Sequence, residues 1–493
     1  MSLLSTQHTL QAYYLGLFGR AADPDGLNYW LSQLESGTLA LDDALMLMAN
    51  SDEFSERLQL PADDDWLAQV YPAYFGRPVD AEGGGYWSSL AAQGVSAPVL
   101  LQSIMASATG ADREALDATT SIARFYSQQV SPERYDPAQT LIQEGLRSNE
   151  ALYAELAAMD EQFDALTVME VGESLEGRPL YSASVGSGPR KLMIVTQQHG
   201  DEPTGTEAAM LLLEWLSGDS PEAQWLRSEI SLTVMPRVNP DGFERWVQLA
   251  SGEASPDTTI DPRRNSADID LNRTWDSSET LDLALIPEAL AVRQEIARFQ
   301  PDLILDYHNQ NNYINAAGEL ETISILWPTN DLIDDQVTAT AQQAAVALAQ
   351  GVAEFDYGFL SLFPGGDTPQ IARNGLAIDG VPTLLIEQRG LEEMELIAYE
   401  GLAVNYNALS SALILEGLMS MIGVITELGS GGLTDIDPAL ALQIPDRGER
   451  IQYQDIYTLS DERIDKEGMP TETELQPEVV GVSAAVLDDA LAA

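Results

Sequence analysis

The chain has 493 residues, of which 78 are Asp or Glu and 24 are Lys or Arg, giving a formal net charge of −54. A surface this acidic repels nucleic acid and anionic membranes, which argues against both as partners, and the length calls for two or three domains. Cysteine is absent, which excludes disulfides and thiolate metal sites, so any metal must be held by His, Asp and Glu.

The opening "MSLLSTQHTLQAYYLG" lacks the basic region, long apolar run and small-residue cleavage site of an export signal. No uninterrupted apolar stretch reaches the roughly 20 residues of a membrane helix. The first clear organisation is a repeat. "YLGLFGRAADPDGLNYWLSQLESG" from Tyr14 returns as "YPAYFGRPVDAEGGGYWSSLAAQG" from Tyr71. Phe18-Gly19-Arg20, Asp23, Gly26 and Tyr29-Trp30 recur as Phe75-Gly76-Arg77, Asp80, Gly83 and Tyr86-Trp87, each 57 positions on. Equal offsets over so many residue types mark two copies of one unit. Each unit reads as a helix, a Gly/Asp-rich loop, a helix carrying the Tyr-Trp pair and a further helix, so residues 1–118 are expected to be all-α (copies near 6–58 and 63–116). The pattern resembles a short helical repeat of unknown function found in bacterial secreted and cell-surface proteins. Its aromatics read as core and its Asp and Gly as loop formers. A calcium- or ligand-binding loop is the alternative.

Residues 119–165 read as a helical connector. From Val168 the pattern changes to short apolar runs, "RKLMIVTQQ", "ISLTVMPRV", "DLILDYH" and "VPTLLIEQ", with amphipathic stretches such as "TGTEAAMLLLEWL" and "PEALAVRQEIARF" among them. Buried strands separated by helices predict an α/β sheet covered on both faces over 166–426. Residues 427–493 turn polar and acidic and read as a weakly ordered tail outside that fold.

Only three histidines exist, His8, His199 and His308, and the last two end apolar runs, where such sheets place ligands. In "HGDEPTG" two residues separate His199 from Glu202, so one tight turn can aim an imidazole and a carboxylate at one point. Two histidines and a carboxylate with an open fourth position make a catalytic zinc site. H-x-x-E alone is weak, and a lone strand-end histidine is more often structural. What carries weight is the ordered set: "HGDEPTG", "VNPDG" (Val238 to Gly242), "RRN" and "DLNR" (Arg263 to Arg273), "DYH" and "LIE" ending at Glu387.

With the opening "VGESLEGRPLYSASVGSGPRKLMIV", this set resembles the zinc metallocarboxypeptidase family from about Val168 to Ile425. The resemblance implies a mixed, mostly parallel sheet and one zinc ion held by His199, Glu202 and His308. It implies Glu387 as general base, Asn272 and Arg273 gripping the terminal carboxylate of a peptide, Arg263 polarising the carbonyl, and Asp270 orienting His199. The family's mobile tyrosine has only Tyr357 as a match, further from the Gly365-Gly366 pair than expected. Asp367, Gln370 and Arg373 are open choices for the residue facing the substrate side chain. Two other readings stand beside the peptidase: a zinc amidohydrolase of small N-acyl amino acids, similar to the aspartoacylase and succinylglutamate desuccinylase group, and a non-catalytic adhesion protein. The repeat's usual company, the acidity and the C-terminal tail suggest export without a cleaved signal, with a cytoplasmic location as the alternative.

Overall fold

An apolar run such as Leu192–Val195 has no polar face to turn outward, so it must lie inside a sheet covered on both sides. All four of its side chains are 2% exposed or less. The structure, a computed structural model, describes residues 3–57, 64–129, 132, 135–137, 146–250, 260–355, 357–390 and 403–450. They fall into two compact units divided after Gly145, with residues from Leu413 onward returning to the second.

The first unit is helical. Helices Leu3–Phe18, Pro24–Glu35, Leu41–Ala49 and Asp52–Arg57 form one copy of the repeat, and Asp64–Phe75, Ala81–Ala92 and Ala97–Ser107 the next. Gly19 and Gly76 leave their helices through left-handed turns, φ 63° and 62°, which only glycine adopts without strain. Asp23 and Asp80 then cap the following helices by accepting from the backbone N–H of Gly26 and Gly83, both at 2.7 Å. Arg20 and Arg77 lie over the rings of Tyr14 and Tyr71 at 5.1 and 5.3 Å. The indoles of Trp30 and Trp87 donate to the hydroxyls of the same tyrosines. The repeated signature is thus a lock between consecutive helices.

In the second unit the strands are β1 Leu166–Glu173, β2 Pro179–Gly186, β3 Arg190–Thr196, β4 Ile230–Met235, β5 Leu303–Gln310, β6 Tyr313–Ile314, β7 Leu320–Leu326, β8 Phe359–Leu362, β9 Thr383–Arg389 and β10 Glu449–Arg450. They form one sheet in the order β1-β2-β4-β3-β5-β9-β7-β6-β10, with β8 paired to β7. The centre, β4-β3-β5-β9, is parallel and corresponds to the four apolar runs. The flanks add antiparallel pairs, so the sheet is mixed, as expected.

Met193, Val195 and Ile304 face a core shared with helix Pro287–Phe299. On the other face, Tyr307 packs against Gly205 of helix Thr204–Ser217 and bonds Ser420 of helix Ala403–Ser430. Because side chains alternate along a strand, Asp306 and His308 project from the face of Ile304, opposite Tyr307.

Three expectations need adjustment. The connector does not behave as one element: helix Gly110–Gln129 belongs to the first unit, and residues from Leu146, including helix Asn149–Gln162, to the second. Asn149 is buried and donates to Pro240 O at 3.1 Å, which ties that helix down. The expected tail is packed as far as 450: Leu433, Ala441 and Ile444 are buried, and β10 pairs with β6. Those apolar residues follow no regular period in a short, mixed stretch, so no periodic signal announced them. Residues 451–493, which carry the suggested export segment, lie outside the described residues. Finally, Ser410–Ser430 is long and apolar enough to cross a membrane, with mean hydropathy 1.6, and 78% of its window is buried. Its embedded Ser, Gly and Glu residues hide it from a search for an uninterrupted run.

Candidate metal centre

The site begins where β3 ends. Gln197 is left-handed at φ 57°, a rare state for a residue with a side chain. Its side chain secures the bend by donating to Gly200 O and accepting from Thr206 and Arg237. His199 and Glu202 follow on this tight turn. A Cβ on Gly200 would stand 2.1 Å from the Gly242 backbone, and one on Gly242 would stand 2.4 Å from Pro262 O. The glycines of "HGDEP" and "VNPDG" therefore let three loops pack backbone to backbone, bringing the Arg263 segment against the turn.

His199 Nδ1 lies 2.8 Å from Glu202 Oε1, His308 Nδ1 lies 2.7 Å from Glu202 Oε2, and the two Nδ1 atoms are 3.0 Å apart. All three residues are buried. They are the only group of three or more His, Asp or Glu able to share an ion among the described residues; Asp23 and Asp80 of the repeats serve as caps and arginine partners instead.

Each imidazole turns its other nitrogen to a carboxylate: His199 Nε2 to Asp270 at 3.0 Å and His308 Nε2 to Asp306 at 3.1 Å. With an ion bound, these contacts would keep the N–H on Nε2 and leave two Nδ1 lone pairs and a carboxylate converging on one point. A tetrahedral zinc ion with arms near 2.0–2.1 Å would place such donors about 3.3 Å apart, so the donor set fits the ion. Burial disfavours charge on both rings, yet Glu202, with Asp306 beside His308, overrides it and holds both above the ordinary imidazole value. The site attracts positive charge.

Asp270 is held well below the usual carboxylate range, against its burial, by His199 and by Arg263 and Arg273. Arg263 donates to Glu202 at 3.0 Å and to Asp270 at 3.2 Å, gripping a ligand residue and its neighbour together. Glu387 is the direct Cα partner of His308 in the β5–β9 ladder and so projects from the same face. Burial pushes its carboxyl up to about 7, with the His308 imidazole opposing.

A cleft of about 240 Å³ opens beside this cluster, and Arg263, Asn272, Arg273, Arg373 and Glu387 contribute to its lining. Asn272 is anchored there: its Oδ1 accepts from Ala372 N at 2.8 Å. Arg273 is held on one side only, donating to Asn272 O, with its side chain 52% exposed.

Tyr357 does not line the cleft; its ring stands 6.2 Å from that of Phe355. It precedes β8, whereas the cleft wall is built by Phe363 to Gly366 after it, and four strand residues span about 13 Å. Asp367 is exposed and Gln370 donates to Glu279, both off the cleft lining, whereas Arg373 is on it.

Sequence reading missed Asp306, although a carboxylate two residues before a strand-end histidine must share its face. It also missed the chain in which Trp275 donates to Gln198 and Gln198 to Asp306.

Known proteins resemble this chain over the same region. Residues 152–357 match the family model described as zinc carboxypeptidase, and residues 3–58 match a domain of unknown function. Mouse carboxypeptidase M is 30% identical over 204 residues, covering 37% of this chain and 44% of that protein. Carboxypeptidase E of Caenorhabditis elegans is 29% identical over 143 residues, covering 26% and 29%. This chain thus spans less than half the length of either relative. A metallo-carboxypeptidase structure from Burkholderia cenocepacia aligns at 21% identity and TM-score 0.43, over 57% of this chain and 70% of that one. The family match includes His199, Glu202 and His308 and stops before Glu387, whose placement comes from the β5–β9 ladder. It is over residues 152–357 that this chain is similar to the zinc carboxypeptidase family.

Proposed function

We propose that this chain is a zinc-dependent metallocarboxypeptidase that hydrolyses the C-terminal bond of peptides. The observation that carries the reading is the convergence of two imidazole Nδ1 atoms on Glu202, with Glu387 beside His308 and an arginine-bearing cleft alongside. A zinc ion held by His199, Glu202 and His308 supplies Lewis acidity at this point.

Arg273, free on one side, receives the substrate's terminal carboxylate in its planar fork. Asn272, whose Oδ1 accepts from Ala372 N, holds the floor beside it. Arg263 is anchored through Nη1 and Nε, which aims its remaining Nη2 at the carbonyl oxygen as negative charge grows there. Glu387 accepts a proton from the attacking water as the C–O bond forms, then delivers it to the departing amine as the C–N bond breaks. Asp270 and Asp306 keep the two imidazoles in the tautomer that presents Nδ1.

Purified full-length protein should contain one zinc per chain and release C-terminal residues from blocked peptides, losing that activity to a chelator and regaining it with zinc. Turnover of N-acetylaspartate in place of peptides would transfer the site to the amidohydrolase reading.

A further inference from the structure

We infer that Arg373 makes this cleft selective for peptides ending in an acidic residue, by pairing with the side-chain carboxylate of the residue to be released. The inference rests on the carboxypeptidase reading and specifies its substrate class.

Arg373 is 2% exposed and contributes to the cleft lining. Its guanidinium is held by neutral acceptors: Nη1 donates to Trp327 O and Thr329 Oγ1, both at 2.9 Å, and Nη2 to Gly366 O at 2.6 Å. Nε has no partner, and no carboxylate lies within ion-pair distance among the described residues. Two other buried arginines are paired with carboxylates. Arg77 meets Asp112 at 2.5 Å, and Arg237 lies 3.6 Å from Glu207.

A buried charge without a counter-ion is costly, and a carboxylate arriving with the substrate would remove that cost. In a chain carrying 78 acidic residues against 24 basic ones, the carboxylate whose charge reaches Arg373 is that of Glu387, which lies beyond ion-pair distance. The backbone has been cleared to seat the group: a Cβ on Gly365 would stand 2.3 Å from Arg373 Nη2.

The neighbouring arginines have other tasks. Arg263 is bound to Glu202 and Asp270, and Arg273 is assigned to the terminal carboxylate. That leaves Arg373 for a second anionic group on the same residue. Phe363, Ile371 and Leu385 line the cleft as well and suit the methylene stem that would carry that group.

The test uses the zinc-loaded full chain and blocked tripeptides that differ only in their last residue, Glu, Gln, Leu or Arg. The wild type should favour Glu over isosteric Gln by about 10- to 100-fold in kcat/KM, the range a charge-assisted hydrogen bond contributes. Arg373→Gln should bring that ratio close to one and leave the Leu peptide within about threefold of wild type. Equal turnover of Glu and Gln peptides by the wild type overturns the inference and leaves the peptidase reading standing. So does a variant that loses all four peptides equally, because Arg373 would then serve the terminal carboxylate or the fold. The wild-type comparison decides the matter even if the variant does not fold. Release of no residue from any peptide overturns both readings.

Discussion

The helical repeats and the cleft both bury arginines near glycines, and they treat the charge in opposite ways. Arg20 and Arg77 leave a glycine turn, lie over a tyrosine and end against carboxylates: Asp23 and Glu53 for the first, Asp80 and Asp112 for the second. Arg373 is more deeply buried, beside Gly365 and Gly366, but its described partners are backbone carbonyls and hydroxyl or amide oxygens. In the repeats the cation is consumed by the fold, whereas in the cleft it remains available to a ligand. Burial of an arginine therefore says little about its role until its counter-charge is known.

The contrast can be broken most severely at the ion. His308→Ala or Glu387→Gln should lower peptide hydrolysis on the order of 10³- to 10⁴-fold with the folded circular dichroism spectrum retained. If both variants match the wild type, the catalytic reading fails. Next in size is Arg273→Ala, for which kcat/KM should fall about 100-fold, mainly through KM, on peptides of every terminal residue. A loss confined to acidic termini would exchange its role with that of Arg373.

On the other side of the comparison, Arg77→Ala should leave kcat/KM unchanged while lowering the stability of the repeat unit by about 1–3 kcal/mol in thermal or urea unfolding, because Asp112 loses its partner. Any effect on hydrolysis would show that the repeats do more than hold themselves together.

A stability effect with no expected bearing on hydrolysis concerns a buried carboxyl that neither region uses for an ion pair. Glu416 accepts from Thr322 at 2.7 Å, and burial pushes its pKa up to about 8. Its folded value is above its unfolded value, so it contributes stability below roughly pH 4.5, and this is lost as pH rises towards 8. Glu416→Gln should flatten that slope in urea titrations at pH 5 and pH 8. An unchanged slope would remove Glu416 as its source.

The sequence disclosed the four central strands because buried parallel strands read as continuous apolar runs. It disclosed His199 and Glu202 because one turn carries both. His308 and Glu387 were legible as strand ends, but their adjacency was not, since register between strands 79 residues apart leaves no local trace. Asp306 was open to inference by alternation alone. Tyr357 went wrong because chain distance to a Gly-Gly pair says nothing about which end of a strand faces the site. The packed segment 427–450 was missed because its apolar residues cover helix Asp335–Phe355 without a period.

The pairing of His308 with Glu387 across the β5–β9 ladder has a further consequence. Adjacent strands lie about 4.8 Å apart whatever their side chains, so the spacing between a ligand and the base is inherited from the sheet itself. Loops around the mouth are free to drift, and with them the choice of peptide, while the reactive spacing stays constant. A one-residue slip of β9 would point Glu387 to the opposite face, so this chemistry should tolerate redesign of the cleft far better than any insertion within that strand.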